Sequence, residues 1–208
     1  MARKQRKLNE RNKFYIFTNG ESTEKNYFNL IKQNCGSIYD VIVKFLNDDP
    51  FQLVIHASQI AKDANRIWCV FDIDNTFEEQ SLIPAIKEAN KLGVKIAFSN
   101  KAFEVWLLYH YKRFDKEMNN AELIEEMDKL LKSLNIKIAY NKSNKSLLEK
   151  YFIPHIQTAM SNAKIVYQTR IRDHNNSKYN SKNYPIWEWN SCTNVFELIE
   201  DLRLKNIV

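Results

Sequence analysis

Two aspartates spaced two residues apart, Asp72 and Asp74, are the side chains of this sequence best suited to chemistry. They end an apolar run that begins at Trp68 and has the composition of a buried strand. Side chains of a strand alternate between its two faces, so both carboxylates should point the same way where the strand ends. Paired carboxylates form a hard, all-oxygen site of the kind that holds Mg²⁺ beside a phosphate. The alternative is that both acids only satisfy the following turn, where Asp is common.

The stretches around this pair alternate between strand and helix patterns. Apolar runs rich in β-branched and aromatic residues predict strands over residues 13–18, 39–46, 68–74 and 94–98. Between them, we expect one helix that starts at Ser22 or Thr23, one that Pro50 opens and one that ends before Gly93. This alternation favours a mostly parallel α/β sheet of about four strands, flanked by helices.

Polar residues stand where three of the predicted strands end. Ligands of parallel α/β sheets bind beyond the carboxyl ends of the strands, in loops that carry most of the chemistry. We therefore expect one pocket formed by three groups of side chains: Asn19 with Gly20, Asp72 with Asp74, and Ser99 with Asn100. The glycine can adopt a positive φ or let a ligand approach the backbone.

From residue 103 onwards the sequence is nearly all helical. Apolar spacing predicts helices over residues 103–110, 120–134, 144–153, 155–172 and 195–204. A capping box of Asn194 and Glu197 should begin the last helix. Glu104 directly follows the loop of the fourth strand, so it can turn back towards the acidic pair. We expect His110, alone on an apolar helix, to be a hydrogen-bonded structural residue.

The positive charge of the chain is concentrated at its N-terminus. The whole chain carries a net charge of +6, and residues 1–13 carry +5, with Arg3, Lys4, Arg6 and Lys7 among the basic residues. Such an arm can bind the phosphates of a nucleic acid, or it can be a solubilising tail. We therefore predict a basic arm, an α/β core and a helical C-terminal part packed on the core, over residues 1–12, 13–112 and 113–208.

The overall composition is that of a globular protein, with 44% hydrophobic and 27% charged residues. No apolar run reaches the length of a transmembrane helix and no signal-peptide pattern is present, so we expect a cytoplasmic protein without membrane contact. Three scattered cysteines predict buried, reduced thiols, and no Cys/His spacing resembles a zinc site.

Four motifs in order resemble the RloB-like family, also known as the AbiLii-type abortive-infection proteins. They are GESTEKNYF at residues 20–28, WCVFDID at 68–74, SNKAFEVWLLYH at 99–110 and NSCTNV at 190–195. The resemblance runs almost from end to end of the chain. It implies a Toprim-type fold, the metal-binding α/β core shared with topoisomerases, primases and OLD-family nucleases.

The same resemblance implies a bacterial role in phage defence or restriction. Relatives are encoded beside an ABC-type or AAA-type ATPase, which is the expected regulatory partner. A related group of Toprim toxins attacks tRNA, so RNA is a candidate substrate beside DNA. Mg²⁺ or Mn²⁺ is the expected cofactor, held by Asp72 and Asp74. Self-association into a homo-oligomer stays open.

One position departs from the family pattern in a way that bears on catalysis. The pattern has a glutamate before Gly20 that serves as the acid or base of Toprim chemistry, and this chain has Asn19 there. An amide can hydrogen-bond a phosphate but cannot move a proton near neutral pH. Either Glu21, Glu24 or Glu104 takes over this role, or the chain has little or no activity. A second departure, Lys101 where the family often has proline, adds a cation that either faces a phosphate or is solvated.

Two hypotheses follow from these residues. In the first, the chain is a Mg²⁺-dependent nuclease in which a nearby glutamate handles protons and Lys101 or the basic arm binds the substrate backbone. In the second, it is a non-catalytic Toprim-shaped module that binds nucleic acid or its ATPase partner. The acidic pair favours the first hypothesis, and Asn19 favours the second.

Overall fold

The computed structural model describes residues 12–73, 79–176 and 189–205, with backbone alone at residues 79–80 and 174–176. A five-stranded sheet runs through it in the order β2-β1-β3-β4-β5. The first four strands are parallel, and β5 is antiparallel to β4. The strands are β1 (Lys13–Thr18), β2 (Asp40–Phe45), β3 (Arg66–Asp72), β4 (Lys95–Asn100) and β5 (Cys192–Thr193). The predicted mostly parallel α/β fold is therefore confirmed.

Helices connect the parallel strands and make up most of the C-terminal half. Those between the strands are α1 (Thr23–Asn34), α2 (Pro50–Ile60) and α3 (Glu79–Leu92). Those that follow β4 are α4 (Glu104–Tyr109), α5 (Asn120–Ser133), α6 (Lys145–Leu147), α7 (Ile156–Asn176) and α8 (Val195–Leu202). A π-helical turn and a 3₁₀ turn join α6 to α7, over Leu148–Phe152 and Ile153–His155.

Hydrophobic clusters cover both faces of the sheet, because neighbouring residues of a strand point to opposite sides. Phe14 and Ile16 of β1 pack with α1, α4 and the C-terminal helices. Tyr15 and Phe17 of the same strand pack with α2 and α3 on the other side. This two-sided burial explains why the strands appear in the sequence as nearly continuous apolar runs.

Helix starts follow the sequence signals in two places and depart from them in a third. Asp49 caps α2 by accepting hydrogen bonds from the N–H groups of Phe51 and Gln52, and Pro50 stands at the first helical position. Asn119 begins α5 with a complete capping box. The capping box predicted for α8 is wrong, because the side chain of Asn194 does not cap the helix. Its Oδ1 accepts from the N–H of Phe98 at 2.7 Å, so the side chain completes β4 instead.

The ends of two strands differ from the prediction. The fourth strand extends to Asn100, so Ser99 and Asn100 lie within the sheet rather than in the loop after it. The third strand ends at Asp72, and Asp74 lies outside the described residues. β5 was not predicted, since a strand of two residues carries no periodic pattern.

Buried polar residues of the core are satisfied locally. His110 is 1% exposed, its Nε2 lies 2.9 Å from the hydroxyl of Tyr27, and its Nδ1 faces the carbonyl of Trp106 at 3.0 Å. This environment fits the structural role expected for His110. The three cysteines are buried free thiols. Among the helices that the structure describes, none combines the length and apolar character needed to cross a bilayer.

Candidate functional site

A crevice of about 280 Å³ opens at the carboxyl ends of β1 and β3. Residues 19–24, which form the turn after β1 and the start of α1, make one wall. Asp72 at the end of β3 and Lys142 from the segment between α5 and α6 complete the lining. The crevice lies where ligands of parallel α/β sheets bind, beyond neighbouring strand ends.

The turn after β1 is held by one hydrogen bond to β3 and one within the turn. The N–H of Asn19 donates to the carbonyl of Val70 on β3 at 3.2 Å, and the hydroxyl of Thr18 donates to the carbonyl of Gly20 at 2.9 Å. A Cβ atom at Gly20 would lie 2.0 Å from Glu24 Oε2. Glycine is therefore required here so that the carboxyl group of Glu24 can pack against the backbone of the turn.

Glu24 is an unusual acid, because it is only 6% exposed. Burial raises the pKa of its carboxyl group, and the negative charge of Glu104 raises it further. A backbone hydrogen bond and the positive charge of Lys142 act in the opposite direction without cancelling the rise. Glu24 can thus carry a proton closer to neutral pH than an exposed glutamate can.

Glu104 lies behind the crevice, at the first position of α4, and is 1% exposed. Its Oε1 accepts a hydrogen bond from the hydroxyl of Tyr140 at 2.9 Å. The ammonium group of Lys142 lies 3.2 Å from Oε1 and 3.3 Å from Oε2 of the same carboxylate. A buried charge needs such partners. The Lys142 side chain is 54% exposed and lines the crevice, so the ion pair joins the buried carboxylate to this space.

The segment that carries Lys142 is attached to the opposite wall. Thr23 donates from its hydroxyl to the carbonyl of Lys142 at 3.2 Å, and Ser143 Oγ lies 3.4 Å from Ser22 Oγ. Partial burial of Lys142 lowers the pKa of its ammonium group, but the negative charges of Glu104, Asp72 and Glu24 together raise it above the ordinary value. Lys142 is therefore a fixed cation among three acids.

Comparison with known proteins identifies the family. A family model described as RloB-like protein matches residues 14–202. The chain belongs to the RloB-like family. All the residues that line the crevice lie within the matched region, and membership is consistent with a restriction-linked or defence protein. A search of curated proteins and a search of solved structures each gave no significant match.

The structure brings together five of the site residues predicted for this RloB-like chain. They all line the crevice: Asn19, Gly20, Glu21, Glu24 and Asp72. Glu104 does not line it and is linked to it through Lys142. Asp74 and the arm residues Arg3, Lys4, Arg6 and Lys7 lie outside the described residues, so their assignments stay predictions.

The residues at the end of β4 occupy a different environment. Ser99 and Asn100 are fully buried, and the Ser99 hydroxyl lies 3.1 Å from the hydroxyl of Thr193 on β5. Neither they nor Lys101 are among the residues that line the crevice. Ser99 stands opposite Asp72 in the pairing of β3 with β4, but its hydroxyl faces β5 rather than the crevice.

Lys142 is the charged residue of this RloB-like site that sequence reasoning missed. It lies in a polar segment between two predicted helices, 70 positions after Asp72, with no motif around it. A lysine in such a segment is ordinarily a solvated surface residue. Its only signal is that Glu104, on an otherwise apolar helix, needs a cation when that helix is buried.

The donor atoms of the crevice suit a hard cation such as Mg²⁺, because they are oxygens of carboxylate, amide and hydroxyl groups. Within residues 12–73, 79–176 and 189–205, no three or more His, Cys, Asp or Glu side chains are placed to hold a metal ion. Glu21, Glu24 and Asp72 are the acids of the described part that line this space, and Asp74 is the next acid after Asp72 in the sequence.

Proposed function

We propose that this RloB-like chain is a Mg²⁺-dependent nuclease of the Toprim type, in a bacterial anti-phage defence or restriction-linked system. The observation that carries the proposal is the crevice in which Glu24 and Asp72 lie beside Lys142. Its substrate is RNA such as tRNA, or DNA. An ABC-type or AAA-type ATPase is the proposed regulatory partner.

In this proposal Asp72 and Asp74 hold the divalent ion, and Mn²⁺ can replace Mg²⁺. A bound ion would supply positive charge to the phosphate under attack. Glu24 takes the role that the resemblance assigns to a glutamate at position 19, since burial raises its pKa towards the range of a general acid or base. Asn19 lines the same crevice and offers an amide that can hydrogen-bond a phosphate oxygen.

A binding module is the second candidate function, and Asn19 is the observation that favours it. The position directly after β1 holds an amide, which cannot act as a general acid or base near neutral pH. If Glu24 serves only to pack against Gly20, the crevice would bind a phosphate or the ATPase partner without cleaving anything. The two candidates therefore differ in the role of Glu24.

Cleavage of labelled tRNA and single-stranded DNA by matched variants tests the proposal. The wild type should cleave with Mg²⁺ or Mn²⁺ and stop when EDTA is added, in the presence or absence of the ATPase. Asp72→Asn should abolish cleavage, and Glu24→Gln should lower it by roughly 10²–10⁴-fold, as for loss of a general acid or base. Glu21→Gln is the matched comparison in the same crevice. Glu21 is exposed, so this variant should cleave like the wild type, and a loss as large as that of Glu24→Gln would move the proton-transfer role to Glu21.

The variant Asn19→Glu separates the two candidates further. If Glu24 already supplies the proton-transfer group, Asn19→Glu should change cleavage little. If the site has lost its acid, the same variant should gain activity, and Asp72→Asn should remove that gain. Tight nucleic-acid binding by a wild type that cleaves neither substrate under any of these conditions would leave the binding module as the function.

A further inference from the structure

The Lys142 ammonium group is held at the crevice by a carboxylate that does not itself reach the crevice. Glu104 is 1% exposed and absent from the lining, while the Lys142 side chain is 54% exposed and part of it. If the pair served only to neutralise Glu104, the cation could be buried with it. Instead the ammonium group contacts the buried carboxylate while the side chain stays partly exposed and lines the crevice with Asp72 and Glu24.

Besides its ion pair with Glu104, two hydrogen bonds fix the position of this lysine. Tyr140 donates its hydroxyl proton to the carboxylate of Glu104 at 2.9 Å, which holds that carboxylate in place. Thr23 binds the carbonyl of Lys142 at 3.2 Å, which attaches the lysine backbone to the start of α1. An ammonium group has three hydrogen-bond donors, and a single carboxylate with two oxygens leaves donor capacity for a bound anion.

We propose that Lys142 binds a phosphate oxygen of the nucleic acid in the crevice and that Glu104 is the positioning residue that holds it there. This inference rests on the proposed function, because it assigns a substrate contact within the same site. It also moves the phosphate-binding cation from Lys101, which does not line the crevice, to the segment between α5 and α6.

Binding of a labelled single-stranded oligonucleotide, with Ca²⁺ in place of Mg²⁺ to prevent cleavage, tests the lysine. Lys142→Met should weaken binding about tenfold, as for loss of a hydrogen bond between charged groups. The slope of log K against log salt should fall by about 0.7, the value for one phosphate contact on a single strand. Lys142→Arg should restore most of the affinity and most of the salt slope.

Lys145→Met is the matched control. Lys145 lies three residues from Lys142 and its ammonium group bonds Gln33 at 3.4 Å, so the variant should bind the oligonucleotide like the wild type.

Glu104→Gln tests the positioning role by the sign of its effect. Loss of the Glu104 charge beside a bound anion should by itself tighten binding of the oligonucleotide. We therefore expect the double variant Glu104→Gln, Lys142→Met to bind more tightly than Lys142→Met alone. In the presence of Lys142 the same change should weaken binding, because the ammonium group loses the carboxylate that holds it. Tyr140→Phe, which keeps both charges and removes one hydrogen bond to Glu104, should give a smaller loss of affinity. Urea unfolding of each variant shows whether the fold is retained.

Lysine acylation read by mass spectrometry gives a measurement that does not depend on activity. Bound oligonucleotide, or inorganic pyrophosphate as a minimal probe, should protect Lys142 from acylation and leave Lys145 unchanged. If the wild type and Lys142→Met both cleave the substrate and bind it with equal affinity, this inference is overturned and the nuclease proposal stands. Lys142-dependent protection without cleavage would support the inference and overturn the nuclease. Absence of protection by either probe would overturn the inference.

Discussion

Gly20 is the residue of the crevice with the strictest steric requirement. The Glu24 carboxyl group occupies the space that any larger residue would need, since its carbon and both oxygens lie within 2.3 Å of the position that a Cβ atom would take. The obstacle is the end of a flexible side chain, so a substitution would displace Glu24 rather than the backbone. The position of the candidate proton-transfer group therefore depends on the absence of one methyl group.

We predict that Gly20→Ala separates activity from stability. The free energy of unfolding should change by less than about 1 kcal/mol, because alanine also restricts the unfolded chain. Cleavage should fall to the level of Glu24→Gln.

Gly93→Ala is the control and should lower stability without affecting cleavage. Gly93 has φ +67 and no atom within 4 Å of the position of a Cβ, so alanine should cost about 1 kcal/mol of unfolding free energy. Urea unfolding and the tRNA assay measure both effects, and full cleavage by Gly20→Ala would contradict this view of Glu24.

His110 should make the fold less stable in acid. Burial lowers its pKa to about 3, although the carbonyls of Trp106 and Leu107 act in the opposite direction. In the unfolded chain a histidine titrates near pH 6.5, so between about pH 6.5 and 3 the unfolded state binds one proton more. The folded state is therefore favoured above this window and loses stability as the pH falls through it.

We predict that the stability cost of His110→Gln is smaller in acid than at neutral pH. The cost at pH 7 should exceed that at pH 5 by about 2 kcal/mol, the linkage contribution of one histidine that stays neutral when folded. Urea unfolding at both pH values measures the difference. Tyr27→Phe keeps the histidine and removes its hydroxyl partner, so its cost should be the same at both pH values. An equal cost of His110→Gln at pH 7 and pH 5 would refute the assignment.

At the scale of elements, the backbone of β4 is hydrogen-bonded on one side by a side chain as well as by a strand. β5 pairs with Ser99 and Asn100 only. Earlier in β4, Asn194 takes the place of a neighbouring strand: its Oδ1 accepts from the N–H of Phe98, and its Nδ2 donates to the carbonyl of Ile96 at 3.0 Å. The start of α8 is thereby attached to the sheet edge, which an ordinary helix cap would not achieve.

We predict that Asn194→Ala destabilises the protein more than Asn119→Ala. The first change leaves two backbone groups of β4 without their partner, and the buried N–H of Phe98 alone should cost about 1–3 kcal/mol. The second removes an exposed helix cap at α5, at about 1 kcal/mol. Urea unfolding of the two variants gives the comparison. Equal costs would mean that water replaces the asparagine at the edge of β4.

At the scale of the whole molecule, the sheet begins directly after the basic arm predicted from the sequence. The carbonyl of Asn12 accepts from the N–H of Asp40 at 2.9 Å, and β1 follows directly. Most of the basic arm predicted from the sequence precedes this point. The arm offers no apolar periodicity for packing, so its contribution should be to nucleic-acid binding rather than to folding.

We predict that deletion of residues 1–11 leaves the thermal midpoint nearly unchanged. Deletion should weaken binding of nucleic acid, and the salt slope should flatten by about 0.9 for each phosphate that the arm binds on duplex or about 0.7 on a single strand. Melting curves and salt titrations of the full and shortened chains provide the measurement. Identical slopes would identify the arm as a solubilising tail.

The sequence by itself determined the parallel part of the sheet and most of the crevice. β1 appears at its predicted bounds. β3 ends at Asp72, which lies beside Asn19 and Glu24 at the carboxyl ends of the parallel strands. These features are local: apolar runs define buried strands, and the order of strands and helices places their carboxyl ends together. The family motifs lie on the same segments, which is why the resemblance could be drawn from them.

The tertiary structure alone decided which side chains complete the site and the sheet. The contact of Glu104 with Lys142 spans 38 positions, and that of Phe98 with Asn194 spans 96. Neither follows from local pattern, because a buried carboxylate or an open strand edge can be satisfied by any suitable group that the fold brings near. The same reason places Ser99 against β5 instead of the crevice: its partner depends on a two-residue strand from the far end of the chain.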